Sequence, residues 1–167
     1  MRRLVTAALL AALALPAVAQ PVQRQPSRID YAGFANLTNE VREHRQGRLV
    51  PLARFNAMAA QSGTLILDAR SPEAFRQGHI RGAVNLTIAD FTAGRLAEVI
   101  GPDRNRPILI YCNNNFEGNR APVLTKMVQL ALNIQTFINL YGYGYRNVYE
   151  LADTVSMDDP DVRWVRG

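Results

Sequence analysis

Apolar residues recur along the chain in short runs separated by polar turns, and the runs are of two kinds. Thr64-Leu65-Ile66-Leu67 and Ile108-Leu109-Ile110-Tyr111 are continuous, as in strands buried on both faces of a parallel sheet. Leu49-Val50 and Ala83-Val84-Asn85-Leu86 are shorter strand candidates, and Asn147-Val148-Tyr149-Glu150-Leu151 alternates as a strand does. Other segments carry apolar residues at helical spacing. Phe34, Leu37 and Val41 form a stripe from Tyr31 to Gln46 that stops near Gly47. Pro51 suits the first turn of a helix running to Ala60, with Leu52, Phe55, Met58 and Ala59 on one face. Ser71-Pro72-Glu73 reads as an N-cap followed by proline at the first helical position, with Gly78 as the stop. Phe91 to Ile100 is a helix closed by Gly101-Pro102. Pro122 to Leu132 is another, with Val123, Met127, Leu130 and Ala131 facing inward.

The stretch from Ile134 to Tyr145 admits two readings: a helix capped by Thr136 and running through Tyr143, or a strand at Thr136-Phe137-Ile138. The helix is preferred. Gln20 to Arg28 is a polar lead-in, and the tail from Asp153 is loop-like with Trp164 as an anchor. Strands alternating with helices predict a three-layer α/β domain around a central parallel sheet flanked by helices.

The first residues change the picture of where the protein works. Arg2 and Arg3 precede an apolar run from Leu4 to Leu15, and Ala17-Val18-Ala19 is a small-x-small site. This is the pattern of a cleavable signal peptide spanning residues 1–19, with cleavage after Ala19. The expected address is periplasmic or secreted; an uncleaved anchor is the competing reading. No cysteine follows the run, so the pattern is not that of a lipoprotein. Stable membrane insertion after cleavage is not expected. Removing the segment takes away two arginines and no acid, and lowers the net charge from +5 to +3. The remaining charges are scattered, without a basic block, which argues against nucleic-acid binding. Residues 20–48 form a lead-in and helix, 49–151 the main domain and 152–167 a tail.

Cys112 is the only cysteine in the chain. It follows the Ile108–Tyr111 run and precedes Asn113-Asn114-Asn115-Phe116-Glu117-Gly118-Asn119-Arg120. A thiol between a strand end and a helix start meets backbone N–H groups and the positive end of a helix dipole, conditions that lower its pKa. Arg120 adds a positive charge. The plainer alternative is a small buried hydrophobe. In an oxidising compartment a lone cysteine forms no intrachain bridge, which gives weak support to a chemical role. Two histidines and one cysteine, widely spaced, do not suggest a metal site, and no cofactor is expected. His79 reads as fixing a turn by hydrogen bonds, and His44 has no partner motif.

Several of these segments, in order, resemble the rhodanese family of sulfurtransferase domains. They are Asp68-Ala69-Arg70 after an apolar strand, Ser71-Pro72-Glu73-Ala74-Phe75 opening a helix, and Gly78-His79-Ile80-Arg81-Gly82-Ala83-Val84-Asn85-Leu86. Ile110-Tyr111-Cys112 and Gly144-Tyr145-Arg146-Asn147-Val148-Tyr149-Glu150-Leu151 complete the series. The resemblance covers about Leu49 to Leu151. It implies that Cys112 accepts a sulfane sulfur from a small anionic donor of thiosulfate or persulfide type, holds it as a persulfide and passes it to a thiol or cyanide-like acceptor. Backbone N–H groups of Asn113, Asn114, Asn115, Phe116, Glu117, Gly118 and Asn119 would form the anion cradle. Arg70 and Arg120 would attract the donor, with Asp68 beside them at the C-terminal end of a neighbouring strand.

The chain departs from the family in its loop. Seven residues separate Cys112 from Arg120. The sulfurtransferase loop has four residues after its cysteine, and the related phosphatases use a Cys-x5-Arg loop. The stretch from Arg120 to Asn147 is also longer than the family's. Tyr141-Gly142-Tyr143-Gly144-Tyr145 reads as packing over the active-site helix, or else as lining a binding surface. Two other functions compete with sulfur transfer. A catalytically inactive binding module for a periplasmic partner fits the long Asn-rich loop. An arsenate- or phosphate-handling enzyme fits the Cys and Arg pair, but lacks the tight loop. Oligomeric state is not legible.

Overall fold

The computed structural model describes residues 24–166; the signal-like segment 1–19 lies outside them. Helix α1 (Tyr31–Gln46) is capped by Asp30, whose carboxylate accepts from the Gly33 N–H. Then follow β1 (Leu49–Val50), α2 (Leu52–Ala59), β2 (Leu65–Asp68), α3 (Pro72–Gln77), β3 (His79–Ile80), β4 (Ala83–Asn85), α4 (Ala93–Ile100) and β5 (Ile108–Tyr111). Helix α5 (Leu132–Gly142), β6 (Val148–Leu151) and β7 (Trp164–Val165) complete the chain. Five strands pair in parallel in the order β1-β6-β5-β2-β4, and β3 pairs antiparallel with β7 in a separate ribbon.

The two continuous apolar runs occupy the middle of the sheet as β5 and β2. Every residue of both strands is buried, because each face is covered. Leu65, Leu67, Ile108 and Ile110 face a core built with Val41 of α1, Leu96 and Ile100 of α4 and Phe137 of α5. Ile66, Leu109 and Tyr111 face the other core, with Phe55 of α2, Phe116 and Val162. The three-layer expectation therefore holds.

Caps and turns follow the sequence signals. Ser71 accepts from the Ala74 N–H with Pro72 behind it, and Thr92 accepts from Arg95. Gly78 is required by close approach: a Cβ there would meet the Trp164 indole at 2.6 Å. Trp164 thus anchors the tail, as expected, and it also meets Phe116 edge-on. His79 Nδ1 donates to the Phe75 carbonyl at 2.9 Å, and its ring stacks on the Phe75 ring, a turn-fixing role. The Tyr141–Tyr145 run packs inward, with Tyr145 buried and the Tyr143 hydroxyl donating to the Phe91 carbonyl.

Two expectations differ from the structure. Helix α5 begins at Leu132, so Thr136 does not cap it but lies buried inside it, its hydroxyl without a partner. Pro122 to Ala131 is not a helix but an open segment with a short 3-10 turn at Val128–Leu130. Its backbone is held by asparagine side chains instead. The Lys126 N–H donates to Asn114 Oδ1, Asn114 Nδ2 donates back to the Lys126 carbonyl, and the Thr125 N–H donates to Asn119 Oδ1. Such bonds offer the backbone an alternative to the helical ladder. Of the residues expected to face inward, Val123 is buried in the second core, while Met127 and Leu130 stand exposed together with Leu124 and Val128.

At the C-terminal ends of β2 and β5 sits a buried network. Asp68 and Arg70 form an ion pair at 2.6 Å with both side chains out of solvent. Arg70 also donates to the Gly78 carbonyl. The Tyr111 hydroxyl donates to Asp68 Oδ2 at 2.5 Å and accepts from the Ile80 N–H. Burial, and then the Asp68 charge, hold the Tyr111 phenol well above its ordinary value of 10.0. Above that pH the unfolded chain loses a proton that the folded state keeps, so stability falls as pH rises. Urea melts of Tyr111→Phe should show a shallower alkaline loss than wild type. At neutral pH the variant should be destabilised by about 1–3 kcal/mol, the cost of leaving buried partners unpaired.

Candidate active site

Cys112 follows β5 directly and is 2% exposed. The next residues, Asn113–Asn115, turn once as a 3-10 helix. Asn115 is the hub of this turn. Its Oδ1 accepts from the Cys112 N–H at 2.9 Å and from Asn133 Nδ2 at 3.0 Å. Its Nδ2 donates to the carbonyls of Leu151 and Asp153. One side chain thus ties the end of β5 to the end of β6 and to the first turn of α5.

Cys112 lines a cavity of about 450 Å³. Its walls come from Thr38, Val41 and Arg42 of α1, Val128 of the open segment, and Ile134 and Phe137 of α5. Burial pushes the Cys112 thiol above its ordinary pKa; the backbone N–H groups of Asn133 and Asn114 pull it down, the Glu150 carboxylate adds to the rise, and the Leu132 N–H opposes it. Leu132 and Asn133 open α5, so their N–H groups are free of intrahelical partners and carry the positive end of the dipole.

The expected strand-to-helix setting is present, but the helix is α5 and the pKa moves the other way. Desolvation outweighs the donors. From the predicted cradle, Asn114 supplies an N–H to the sulfur. Asn115 positions the turn, while the Asn113 Oδ1 is buried without a partner. Phe116 is buried in the second core. Glu117, Gly118 and Asn119 are exposed, and Gly118 and Asn119 take positive φ to turn the chain away.

The expected anion-binding charges are elsewhere. Arg70 and Asp68 are wholly engaged with each other, with Tyr111 and with the Gly78 carbonyl. Neither lines the Cys112 cavity. Arg120 pairs with Asp158 at 3.0 Å at the surface, both side chains more than half exposed. It borders a different depression, beside Gln77 and Trp164. A sequence count from Cys112 to the next arginine could not show this, because the open segment separates Arg120 from α5, the helix that borders the Cys112 cavity.

The charged residues that do line the cavity are Arg42, Arg45 and Glu150. Sequence reasoning did not single them out. Glu150 is 6% exposed, and a buried acid on an inward strand position is the one signal that could have drawn attention to it. Arg45 forks onto it, Nε to Oε2 at 2.5 Å and Nη2 to Oε1 at 2.8 Å. No group of three or more histidine, cysteine or acidic residues suited to a metal occurs among the described residues.

A three-layer parallel α/β domain with a cysteine at the end of its central strand is a known domain class, and comparison identifies it. The family described as Rhodanese-like domain matches residues 52–154, and the chain belongs to that family. The chain is 32% identical over 62 residues to the thiosulfate sulfurtransferase PspE of Escherichia coli K12, a match covering 36% of this chain and 58% of that relative. Among solved structures it is similar to a rhodanese with anions from E. coli, with a TM-score of 0.41 at 24% identity, covering 62% and 99% of the two chains. It is also similar to the polysulfide-sulfur transferase homodimer of Wolinella succinogenes, with a TM-score of 0.42 at 14% identity, covering 74% and 80%.

Two outcomes test this geometry. The rate of Cys112 alkylation by neutral iodoacetamide should rise with pH to a midpoint above the ordinary thiol value of about 8.5. Arg120→Ala should leave that profile unchanged, since its exposed pair lies away from the cavity and is worth at most about 1 kcal/mol.

Proposed function

We propose that the protein is an exported sulfurtransferase in which Cys112 carries a sulfane sulfur between a small anionic donor and a thiol or cyanide-like acceptor. The observation that carries this reading is the placement of the thiol. Cys112 lines the cavity, and backbone N–H groups of the first turn of α5 and of Asn114 oppose the desolvation of its thiol. Such donors stabilise a sulfur anion as charge develops on it.

In the proposed cycle the Cys112 thiolate attacks the outer sulfur of the donor. A sulfur–sulfur bond forms at Cys112, and the donor's own bond to that sulfur breaks. The donor leaves with the electron pair, as sulfite from thiosulfate or as a thiolate from a persulfide. An acceptor nucleophile then attacks the outer sulfur and returns the Cys112 thiolate. The cavity volume lies within the range of sites for organic ligands, so it admits an organic persulfide as well as thiosulfate. The signal-like sequence at residues 1–19 supports a periplasmic or secreted address.

A binding module is the second reading. It is favoured by Met127, Val128 and Leu130, which stand exposed beside the cavity. Intact mass spectrometry separates the two. After treatment with thiosulfate or an organic persulfide, wild type should gain the mass of one sulfur atom and lose it on addition of cyanide. Cys112→Ser should gain nothing. A wild type that takes up no sulfur from either donor would leave the binding module as the better account.

A further inference from the structure

We propose that Arg45, acting through Glu150 and Asn133, is a positioning residue for Cys112, which makes helix α1 part of the active site. α1 lies before the family match, which begins at residue 52. Yet an unbroken chain of hydrogen bonds runs from it to the cysteine. Arg45 holds both oxygens of Glu150. Glu150 Oε1 also accepts from Asn133 Nδ2 at 3.2 Å, and the same Nδ2 reaches Asn115 Oδ1 at 3.0 Å. Asn115 Oδ1 in turn accepts the Cys112 N–H.

The orientation of Asn133 is set by its partners. Both atoms it faces are acceptors, so its NH₂ group must point at them. Its own Oδ1 is left buried without a partner. Glu150 therefore fixes the side chain of a residue whose backbone N–H is directed at the sulfur. Moving the carboxylate moves the first turn of α5 relative to the thiol.

Charge adds a second effect on the same residues. Three charged side chains line the cavity: Arg42 and Arg45 from α1, and Glu150 from β6. The Asn113–Asn115 turn and the first turn of α5 bring no other titratable side chain. Glu150 is a like charge to the thiolate, and Arg45 is its counter-ion. Removing Arg45 leaves a nearly buried carboxylate facing the sulfur with one side-chain donor. Removing the Glu150 charge leaves the arginine facing it instead.

As a statement about catalysis this rests on Cys112 being the sulfur carrier. As a statement about the thiol it is measured without any sulfur donor, so the two can fail separately. The experiment is the pH profile of iodoacetamide alkylation of the purified protein. Arg45→Met should raise the midpoint by about one pH unit, and Glu150→Gln should lower it by a similar amount. Arg45→Lys should fall between wild type and Arg45→Met, because charge returns without the fork. The double variant Arg45→Met/Glu150→Gln should return near wild type. A clasp that merely holds α1 in place would loosen the site with either single substitution and move both midpoints the same way. That result, or unchanged midpoints, overturns the proposal. Should Arg45→Met fail to fold by circular dichroism, Glu150→Gln decides alone: a midpoint that does not fall overturns it.

Discussion

The amide of Asn115 closes the C-terminal end of the sheet, and the position of Cys112 depends on it. Strands β5 and β6 end side by side, leaving a backbone N–H at Cys112 and carbonyls at Leu151 and Asp153 away from any ladder partner. Buried groups of this kind cost about 1–3 kcal/mol each when unpaired. Asn115 satisfies all three and takes a fourth bond from Asn133. Both lone-pair directions of its oxygen and both its N–H groups are then in use. No other side chain of that length offers two donors and two acceptors in one plane. An aspartate would lose both donors, and an alanine would leave the strand ends open beneath the cavity.

Two buried arginine–carboxylate pairs stand on the two sides of this closure, and they do different things. Asp68–Arg70 is saturated: Tyr111, the Gly78 carbonyl and the Arg70 N–H complete it. It joins β2 and β5 to the turn before β3, and with Trp164 stacked nearby it holds the tail in place. Pairs of this type add little net stability, but are costly to break. Arg45–Glu150 is 36% exposed on the arginine side and opens on the cavity. Its charges remain within reach of the thiol, where those of the first pair are not.

The strands were legible because continuous apolar runs have no other stable place in a domain of this size. The caps at Ser71 and Thr92 were legible because capping is local chemistry. Cys112 was legible from its place at the end of β5. What the pattern could not give was the fate of Pro122–Leu132. Apolar residues at helical spacing are necessary for a buried helix, but burial is decided by partners elsewhere. Here Asn114 and Asn119 take the backbone groups that a helix would use. The same displacement explains Arg120. Its neighbour in space is Asp158, far along the chain, and no spacing rule contains that pairing. Arg70 misled for a related reason: a strand-end arginine is available to a ligand only where no carboxylate two residues away claims it.

The part of the chain that matches the family and the part that builds the site are therefore not the same. The match begins at residue 52, but β1 pairs with β6 at Glu150 and Leu151, beside the cavity. Val41 of α1 is buried in the same core as Phe137 and Ile138 of α5. The cavity exists because α1 covers the start of α5. Without that wall the α5 N-terminus would face water, and solvent would screen both the helix dipole and the Glu150 charge. The thiol would then sit nearer its ordinary pKa in a shallow, wet groove. With the wall, desolvation raises the thiol, and the same dry surroundings strengthen every donor aimed at the sulfur. A thiol kept neutral at rest and donors that strengthen once a sulfur anion forms are two consequences of one packing contact, that between α1 and α5.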